Sequence, residues 1–283
     1  MIIFKLPEDL HPYLSQKKNE KIATGFVPTM GALHPGHIGL IKNARLENDL
    51  VVCSIFVNPT QFNDPKDFEK YPATIENDIF SLEKAGCDVL FLPTVNTIYP
   101  FGVNRSMTYQ LGYLETILEG KFRPGHFQGV CQVVHRLLEI VIPDRLYLGQ
   151  KDFQQCMVLK KMIADYHINT ETVICATKRE ADGLAMSSRN IRLNENERAT
   201  APAIYEALLF IEDTLKKGNI DELKETVKVK LAIKGFNVDY VEIASADNLD
   251  IIHEWDGKTS MVALIAAFLN EVRLIDNLIL KAS

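Results

Sequence analysis

The stretch Val27-Pro28-Thr29-Met30-Gly31-Ala32-Leu33-His34-Pro35-Gly36-His37 decides the fold of this chain. It follows a short apolar run, passes through glycine-containing turns and enters a segment whose apolar residues recur at helical spacing. A strand, a turn and a helix in this order begin a βαβ unit. We expect the turn to leave backbone N–H groups and a helix N-terminus facing open space, which suits a phosphate group.

The same alternation of short apolar runs and helical patterns continues to residue 177, and we find no internal repeat. Such a rhythm predicts an α/β fold with a doubly wound parallel sheet, in which ligands bind at the carboxyl ends of the strands. The predicted strands cover 23–27, 50–57, 88–92, 145–148 and 172–176, and the predicted helices cover 36–47, 74–85, 130–141 and 153–166.

The character of the chain changes after residue 190, and we place a domain boundary near residue 178. Asn194 and Glu197 have the spacing of a capping box, which predicts a helix continuing to about Lys217. The residues that follow predict a smaller α+β domain over 179–283, with a hairpin that turns at Asn270-Glu271. Its other predicted elements are a helix over 221–234 and strands over 239–244, 260–269 and 273–280.

Composition narrows the class of protein. Apolar residues make up 47% of the 283 and charged residues 24%, as in ordinary globular enzymes. The net charge of −6 argues against a nucleic-acid partner, because such proteins usually carry a basic face. We see no signal peptide and no apolar run of about 20 residues, so we expect a cytoplasmic protein without a membrane partner. The five cysteines are odd in number and far apart in the sequence. This distribution predicts buried thiols rather than disulfides or a zinc site.

Two segments after the first strands carry candidate binding residues. His34 and His37 lie three residues apart at the helix entrance, where both rings could stabilise charge on one phosphate; the alternative is a loop with surface histidines. The second predicted strand ends in two amide side chains, Asn58 and Gln61. Amides donate and accept without adding charge, which suits a hydroxy acid, although a simple Asn-Pro turn is equally plausible.

Two further segments suit phosphate. Gly149-Gln150-Lys151-Asp152 follows the fourth predicted strand, where Lys151 supplies a fixed charge and Asp152 either caps the next helix or helps hold hydrated Mg²⁺. In the segment 179–190, hydroxyls followed by Arg189 predict a mobile phosphate clamp, with Gly183 permitting movement, or else a polar linker. Arg123-Pro124-Gly125-His126-Phe127 is either a substrate lid or a loop opening a helix.

Taken in order, these motifs resemble the pantothenate synthetase family. The chain contains P-T-M-G-x-L-H-x-G-H, F-V-N-P-x-Q-F, R-P-G-H-F-x-G-V, G-x-K-D-x-Q-Q and D-G-L-A-x-S-S-R-N, and the resemblance extends from Val27 to Asn277. It implies a Rossmann-like amino-terminal domain, a small carboxyl-terminal lid and a homodimer. It also implies two half-reactions: ATP and pantoate give pantoyl adenylate and pyrophosphate, and β-alanine then displaces AMP to give pantothenate.

The resemblance also implies residue roles. His37 is the proton donor, His34 and Lys151 assist it on the phosphates, and Mg²⁺ accompanies ATP. Independently of the resemblance, the position of Asp78 on the predicted helix 74–85 makes it a candidate metal or nucleotide contact, although an exposed helical aspartate is usually only solvated. The implied ATP contacts are Met30, Gly31, Ala32, Leu33, His34, Pro35, Gly36, His37, Gly149, Gln150, Lys151, Asp152, Lys178, Met186, Ser187, Ser188 and Arg189. The implied pantoate contacts are Gln61, Gln155 and Asn58, and Gln61 also lines the β-alanine position.

Two other functions remain open at this point. A related nucleotidyltransferase would transfer AMP or CMP to a phosphate ester, but such an acceptor favours more Lys or Arg than the Gln61 and Gln155 pair provides. A nucleotide-binding interaction protein with a relic site is the non-enzymatic alternative. The intact histidines, Lys151 and both glutamines argue against it.

Overall fold

The structure is a computed structural model that describes residues 1–63, 68–69, 71–103 and 107–280. The chain forms two compact units. The first contains Met1–Gly149 and Val158–Ala176, and the second contains Gln150–Met157 and the chain from Thr177 onward. The division into an ATP- and pantoate-binding domain over 1–178 and a lid over 179–283 stays a prediction.

The first unit is built on a six-stranded sheet in which every neighbouring pair of strands is parallel. The strand order is β1-β4-β3-β2-β5-β6, so the ends of β2, β3 and β5 are adjacent along one edge. This sheet and its flanking helices confirm the predicted fold class. The strands are β1 (Ile2–Phe4), β2 (Thr24–Thr29), β3 (Leu50–Ile55), β4 (Val89–Phe91), β5 (Arg145–Gly149) and β6 (Glu171–Cys175).

The four predicted helices are present, and one of them begins earlier than predicted. Three others, over Pro7–Asn19, Val95–Ile98 and Leu118–Phe122, were not predicted. β1 has only three residues, too few to show strand alternation, and helix α1 buries only Leu10 and Leu14. Helix α6 begins four residues earlier than predicted, after Gly125 takes the left-handed conformation at φ 79°. The helices are α1 (Pro7–Asn19), α2 (Pro35–Glu47), α3 (Ile75–Ala85), α4 (Val95–Ile98), α5 (Leu118–Phe122), α6 (His126–Val141) and α7 (Phe153–Asp165).

The second unit packs helices on an antiparallel sheet with the order β11-β10-β8. The predicted capping box is confirmed, since Asn194 Oδ1 accepts from Glu197 N at 2.9 Å and Glu197 Oε2 accepts from Asn194 N at 2.9 Å. The elements are α8 (Glu195–Thr200), α9 (Ala203–Thr214), β7 (Gly218–Asn219), α10 (Asp221–Ile233), β8 (Asn237–Ser245), β9 (Glu254–Trp255), β10 (Met261–Leu269) and β11 (Val272–Leu280).

Two turns of the second unit show how single residues shape it. The helix predicted to run unbroken to Lys217 is instead divided at Pro202, which has no N–H to continue the helical hydrogen bonds. The hairpin joining β10 and β11 turns where predicted, with Leu269 opposite Val272. Asn270 occupies the left-handed region at φ 50°, which asparagine tolerates better than most residues.

Each unit has its own apolar core. All five cysteines are buried free thiols, as predicted. Among the residues that the structure describes, no helix has the length and apolar character needed to cross a membrane.

Candidate active site

The loop between β2 and α2 is shaped by a buried carboxylate on another helix. Gly31 and Ala32 both take left-handed conformations, with φ 81° and 48°. This geometry directs Ala32 N to Asp78 Oδ2 at 2.9 Å and Leu33 N to Asp78 Oδ1 at 2.8 Å. A Cβ on Gly31 would lie only 3.1 Å from Asp78 Oδ2, so glycine lets the loop close on the carboxylate. Asp78 therefore holds the loop between β2 and α2, the candidate phosphate-binding loop, in place.

The backbone N–H groups of this loop do not face open space as predicted. Gly31 N donates to Thr29 Oγ1 at 3.3 Å, Gly36 N donates to His34 Nδ1 at 3.1 Å, and His34 N donates to His37 Nδ1 at 3.4 Å. The prediction was wrong for these groups, because Asp78 and side chains next to or within the loop accept their hydrogen bonds.

His34 and His37 form a capping box at the start of α2. Their ring centroids lie 4.0 Å apart. Because each Nδ1 accepts a backbone hydrogen bond, each neutral ring carries its hydrogen on Nε2. In this tautomer both neutral imidazoles are Nε2–H donors, a form suited to stabilising a phosphate oxygen. The structure brings this predicted pair together.

Asp78 is not the solvated helical residue considered as an alternative, because only 2% of it is exposed. Both of its oxygens accept backbone hydrogen bonds, and Thr74 Oγ1 donates to Oδ1 at 3.1 Å. Its contact with a metal stays a prediction, while its contact with the loop is direct. No group of three or more His, Cys, Asp or Glu residues within the described ranges could hold a metal ion by itself.

Asn58 caps the short 3₁₀ helix Pro59–Gln61 and is only 1% exposed. Its Nδ2 donates to Gly129 O at 3.1 Å, and its Oδ1 accepts from Tyr99 Oη at 2.8 Å. The amide is therefore engaged within the protein and fixes the turn that carries Gln61. A direct contact between Asn58 and pantoate stays a prediction.

Gln61 lies beside the histidine loop. Its Nε2 is 2.8 Å from Met30 Sδ, so the first and second predicted segments meet in the first unit. The backbone oxygen of Gln61 accepts from His126 Nδ1 at 2.8 Å and from Arg123 Nη2 at 3.4 Å. The segment 123–127, predicted to be a lid or a loop, therefore holds the Gln61 backbone.

Gly129 is a site-supporting residue whose role the sequence analysis missed. A Cβ at this position would lie 2.3 Å from Thr60 O and 2.8 Å from Gln61 N. Only glycine lets α6 approach the Pro59–Gln61 turn this closely. Its place in the motif R-P-G-H-F-x-G-V was visible, but the residue that it contacts, 69 positions earlier, was not.

In the second unit, a 3₁₀ turn over Gln150–Asp152 leads into α7. The Lys151 side chain is 19% exposed, and its Nζ lies 3.9 Å from Asp152 Oδ1. Asp152 is more accessible, with 48% of its side chain exposed. Gln155 is half-buried on α7. Whether Lys151 and the histidine pair bind one nucleotide stays a prediction.

The segment from Lys178 to Met186 folds back on itself in the second unit. Met186 N donates to Lys178 O at 3.0 Å, and the segment turns at Gly183 with φ 91°. A Cβ on Gly183 would lie 2.3 Å from Tyr205 Cδ1. Gly183 therefore allows close packing on an aromatic ring, and its predicted role in movement stays a prediction.

The next segment, which contains the two predicted phosphate-binding hydroxyls, forms a short 3₁₀ helix with a side-chain cap. Ser187 Oγ accepts from Arg189 N at 3.3 Å and caps a 3₁₀ helix over Ser188–Arg192. Ser187, Ser188 and Arg189 are half-buried, whereas Lys178 is exposed. Their predicted contacts with phosphate and nucleotide stay predictions.

Comparisons with known proteins agree with the motifs. The family model for pantoate-beta-alanine ligase matches residues 2–279. The chain is 45% identical to pantothenate synthetase from Cytophaga hutchinsonii over 99% of both chains. It is similar to the solved pantothenate synthetase from Thermus thermophilus, with TM-score 0.90, 40% identity and coverage of 98% of this chain and 99% of that one.

A second solved structure, of pantoate-beta-alanine ligase from Francisella tularensis complexed with beta-gamma ATP and β-alanine, has TM-score 0.81 and 40% identity to this chain. The match covers 99% of this chain and 97% of the Francisella chain. The sequence motifs, the parallel sheet and these matches lead to one conclusion: this chain belongs to the pantoate-beta-alanine ligase family.

Proposed function

We propose that this protein condenses pantoate with β-alanine at the expense of ATP, giving pantothenate, AMP and pyrophosphate. The observation that carries the proposal is the match to the ligase family over residues 2–279. The capping geometry that makes His34 and His37 Nε2–H donors supports it at the level of chemistry.

In the first half-reaction, a pantoate carboxylate oxygen attacks the α-phosphorus of ATP and pyrophosphate leaves. Negative charge builds on the phosphate oxygens, and the Nε2–H groups of His34 and His37 are suited to stabilise it. His37 is the proposed proton donor, and the Lys151 ammonium adds a fixed positive charge. The remaining proposed ATP contacts lie in the segments 30–36, 149–152 and 178–189 named from the sequence.

In the second half-reaction, the β-alanine amine attacks the carbonyl carbon of the pantoyl adenylate and AMP leaves. β-Alanine arrives as an ammonium ion and must lose a proton before attack. The adenylate is prone to hydrolysis, so the site must exclude water until the amine arrives. We propose that the C-terminal unit serves as a lid for this purpose.

Pantoate recognition is assigned to Gln61 and Gln155, with Gln61 also near β-alanine. Neutral amides can bind both hydroxyl and carboxylate groups without the desolvation cost of a buried charge. Asn58 supports them by fixing the turn that carries Gln61, since its amide binds Gly129 O and Tyr99 Oη.

Mg²⁺ would neutralise charge on the triphosphate and assist departure of pyrophosphate. Since the described residues contain no metal-binding cluster, the phosphate oxygens would supply most of its ligands. Asp152, whose side chain is 48% exposed, is more accessible to a hydrated ion than buried Asp78. We further propose that the protein is a cytoplasmic homodimer, as the family resemblance implies.

Product identification tests the proposed function. Purified protein is incubated with ATP, Mg²⁺ and pantoate, with and without β-alanine, and nucleotides and acids are separated. We expect AMP and pantothenate in equal amounts only when β-alanine is present. Transfer of AMP to a phosphate ester would favour the nucleotidyltransferase, and ATP binding without pyrophosphate release would favour the non-enzymatic alternative.

A further inference from the structure

The turn that carries Lys151 is held by a side chain from the far end of the chain. Asn277 lies on β11 and is only 2% exposed. Its Nδ2 donates to Gln150 O and to Lys151 O, both at 2.9 Å. Its Oδ1 accepts from Gln150 Nε2 at 3.2 Å. One amide therefore fixes two successive backbone carbonyls and the side chain of Gln150.

Asn277 is itself held by its neighbour on β11. Asp276 Oδ1 accepts from Asn277 N at 2.8 Å, and the carboxylate is 4% exposed. Arg179 donates to both oxygens of Asp276, with Nη2 at 3.1 Å from Oδ1, and Nη2 also lies 3.3 Å from Asn277 O. The guanidinium stacks on the Tyr205 ring at 3.8 Å from its centroid.

Asp276 also interacts electrostatically with Arg179 and Lys151. Burial raises the pKa of Asp276, and the positive charges of Arg179 and Lys151 oppose that rise. A buried ion pair contributes little net stability, because desolvation offsets much of the attraction between its charges. The arrangement is better suited to fixing one geometry than to strengthening the fold.

We propose that Asn277, supported by the Asp276–Arg179 ion pair, is a positioning residue that sets the direction of Lys151 toward the phosphates. The inference rests on the proposed function, because it acts through the phosphate contact assigned to Lys151. Arg179 also begins the segment that leads to Ser187, so the same network fixes two of the phosphate-binding segments.

The isosteric substitution Asn277→Asp tests this role. A carboxylate has no N–H to give, and its charge would repel the carbonyl oxygens of Gln150 and Lys151. Since a displacement of about 1 Å can cost about 10²-fold in rate, we expect pantoate-dependent ATP–pyrophosphate exchange to fall by about that factor. The KM for β-alanine should stay unchanged. Asn277→Ala removes the same donors without adding charge. It replaces Asn277→Asp as the test variant if Asn277→Asp does not fold.

A double-mutant cycle separates positioning from general structural damage. In a Lys151→Met background, Asn277→Asp should have almost no additional effect on exchange, because the group that it positions is gone. The matched control is Asp239→Asn, which breaks the ion pair with Arg273 on the same sheet and should leave exchange near the parent value.

Three outcomes would overturn the inference. An Asn277→Asp effect of equal size in the parent and Lys151→Met backgrounds would make the role merely structural. If exchange were defective in Lys151→Met but normal in Asn277→Asp, Asn277 would have no positioning role, and the proposed role of Lys151 would stand. Normal exchange by Lys151→Met would overturn the proposed role of Lys151 and this inference with it.

Discussion

At the residue scale, the histidine pair caps α2 through the same rings that we propose bind phosphate. Each Nδ1 accepts a backbone hydrogen bond of the α2 cap, so the neutral form of each ring carries its hydrogen on Nε2. The sequence was enough to single out the two motif residues as candidates for phosphate binding, and the structure places their rings side by side. The orientation of the loop N–H groups could not, since it depends on Asp78, which lies 46 residues after Ala32.

Replacing His37 should affect chemistry more than folding. We expect His37→Ala to lower adenylation by about 10²–10³-fold, the range for one lost transition-state donor. Loss of the capping-box hydrogen bond from His34 N to His37 Nδ1 should cost about 0.5–1.5 kcal/mol of stability. Pyrophosphate release and thermal unfolding measure the two effects separately. Near-normal pyrophosphate release by this variant would remove His37 from the mechanism.

Replacing Gln61 should affect one substrate selectively. Hydrogen bonds to charged groups are worth about 1.5–3 kcal/mol, so Gln61→Ala should weaken pantoate binding by about 10- to 100-fold while sparing ATP. Calorimetry with each ligand measures this. Gln132→Ala, which removes an amide on α6 bonded to Met107 O, is the control. Unchanged pantoate affinity in Gln61→Ala would refute the assignment.

At the element scale, the positions of the candidate residues at the ends of the parallel strands could be predicted, whereas the contacts that support these residues could not. The apolar runs of β2, β3 and β5 identified the strand ends from which the candidate residues follow. The three-residue β1 and the helix break at Pro202 were missed, because the first shows no periodicity and the second interrupts a pattern that otherwise continues. Long apolar periodicity is informative, whereas short elements depend on tertiary contacts.

Gly129 connects α6 to the Pro59–Gln61 turn, and a methyl group there should push them apart. Because its Cβ would lie 2.3 Å from Thr60 O, we expect Gly129→Ala to destabilise the protein by about 1–3 kcal/mol and to weaken pantoate binding. Chemical denaturation measures the stability change.

Gly39 on α2 provides the matched control, because no described atom outside its chain neighbours and the adjacent backbone of its own helix lies within 4 Å of a Cβ built there. Gly39→Ala should stabilise the helix by about 0.5–1 kcal/mol. Equal effects of the two substitutions would show that contact with Thr60 does not matter.

At the scale of the whole molecule, the buried thiols predict an alkaline limit to stability. Burial raises the pKa of Cys87 from its ordinary value of 9.0 to about 12. Between these values the unfolded thiol ionises and the folded thiol does not, so unfolding releases a proton. This contribution is complete below pH 9 and is lost as the pH rises toward 12.

We therefore expect the free energy of unfolding to fall less steeply with pH in Cys87→Ala than in the parent protein over this range. The difference in slope should approach about 1.4 kcal/mol per pH unit, the value for one proton. Denaturation at a series of pH values measures it. Parallel slopes for the two proteins would contradict the burial argument.

The central step of the proposed reaction is activation of pantoate by transfer of AMP to its carboxylate. The most direct test uses pantoate labelled with ¹⁸O in both carboxylate oxygens, with ATP, Mg²⁺ and β-alanine, and mass spectrometry of the products. Attack on the α-phosphorus predicts one ¹⁸O atom in the phosphate of AMP and one in the amide of pantothenate. Unlabelled AMP, or ¹⁸O appearing in inorganic phosphate beside ADP, would contradict the account.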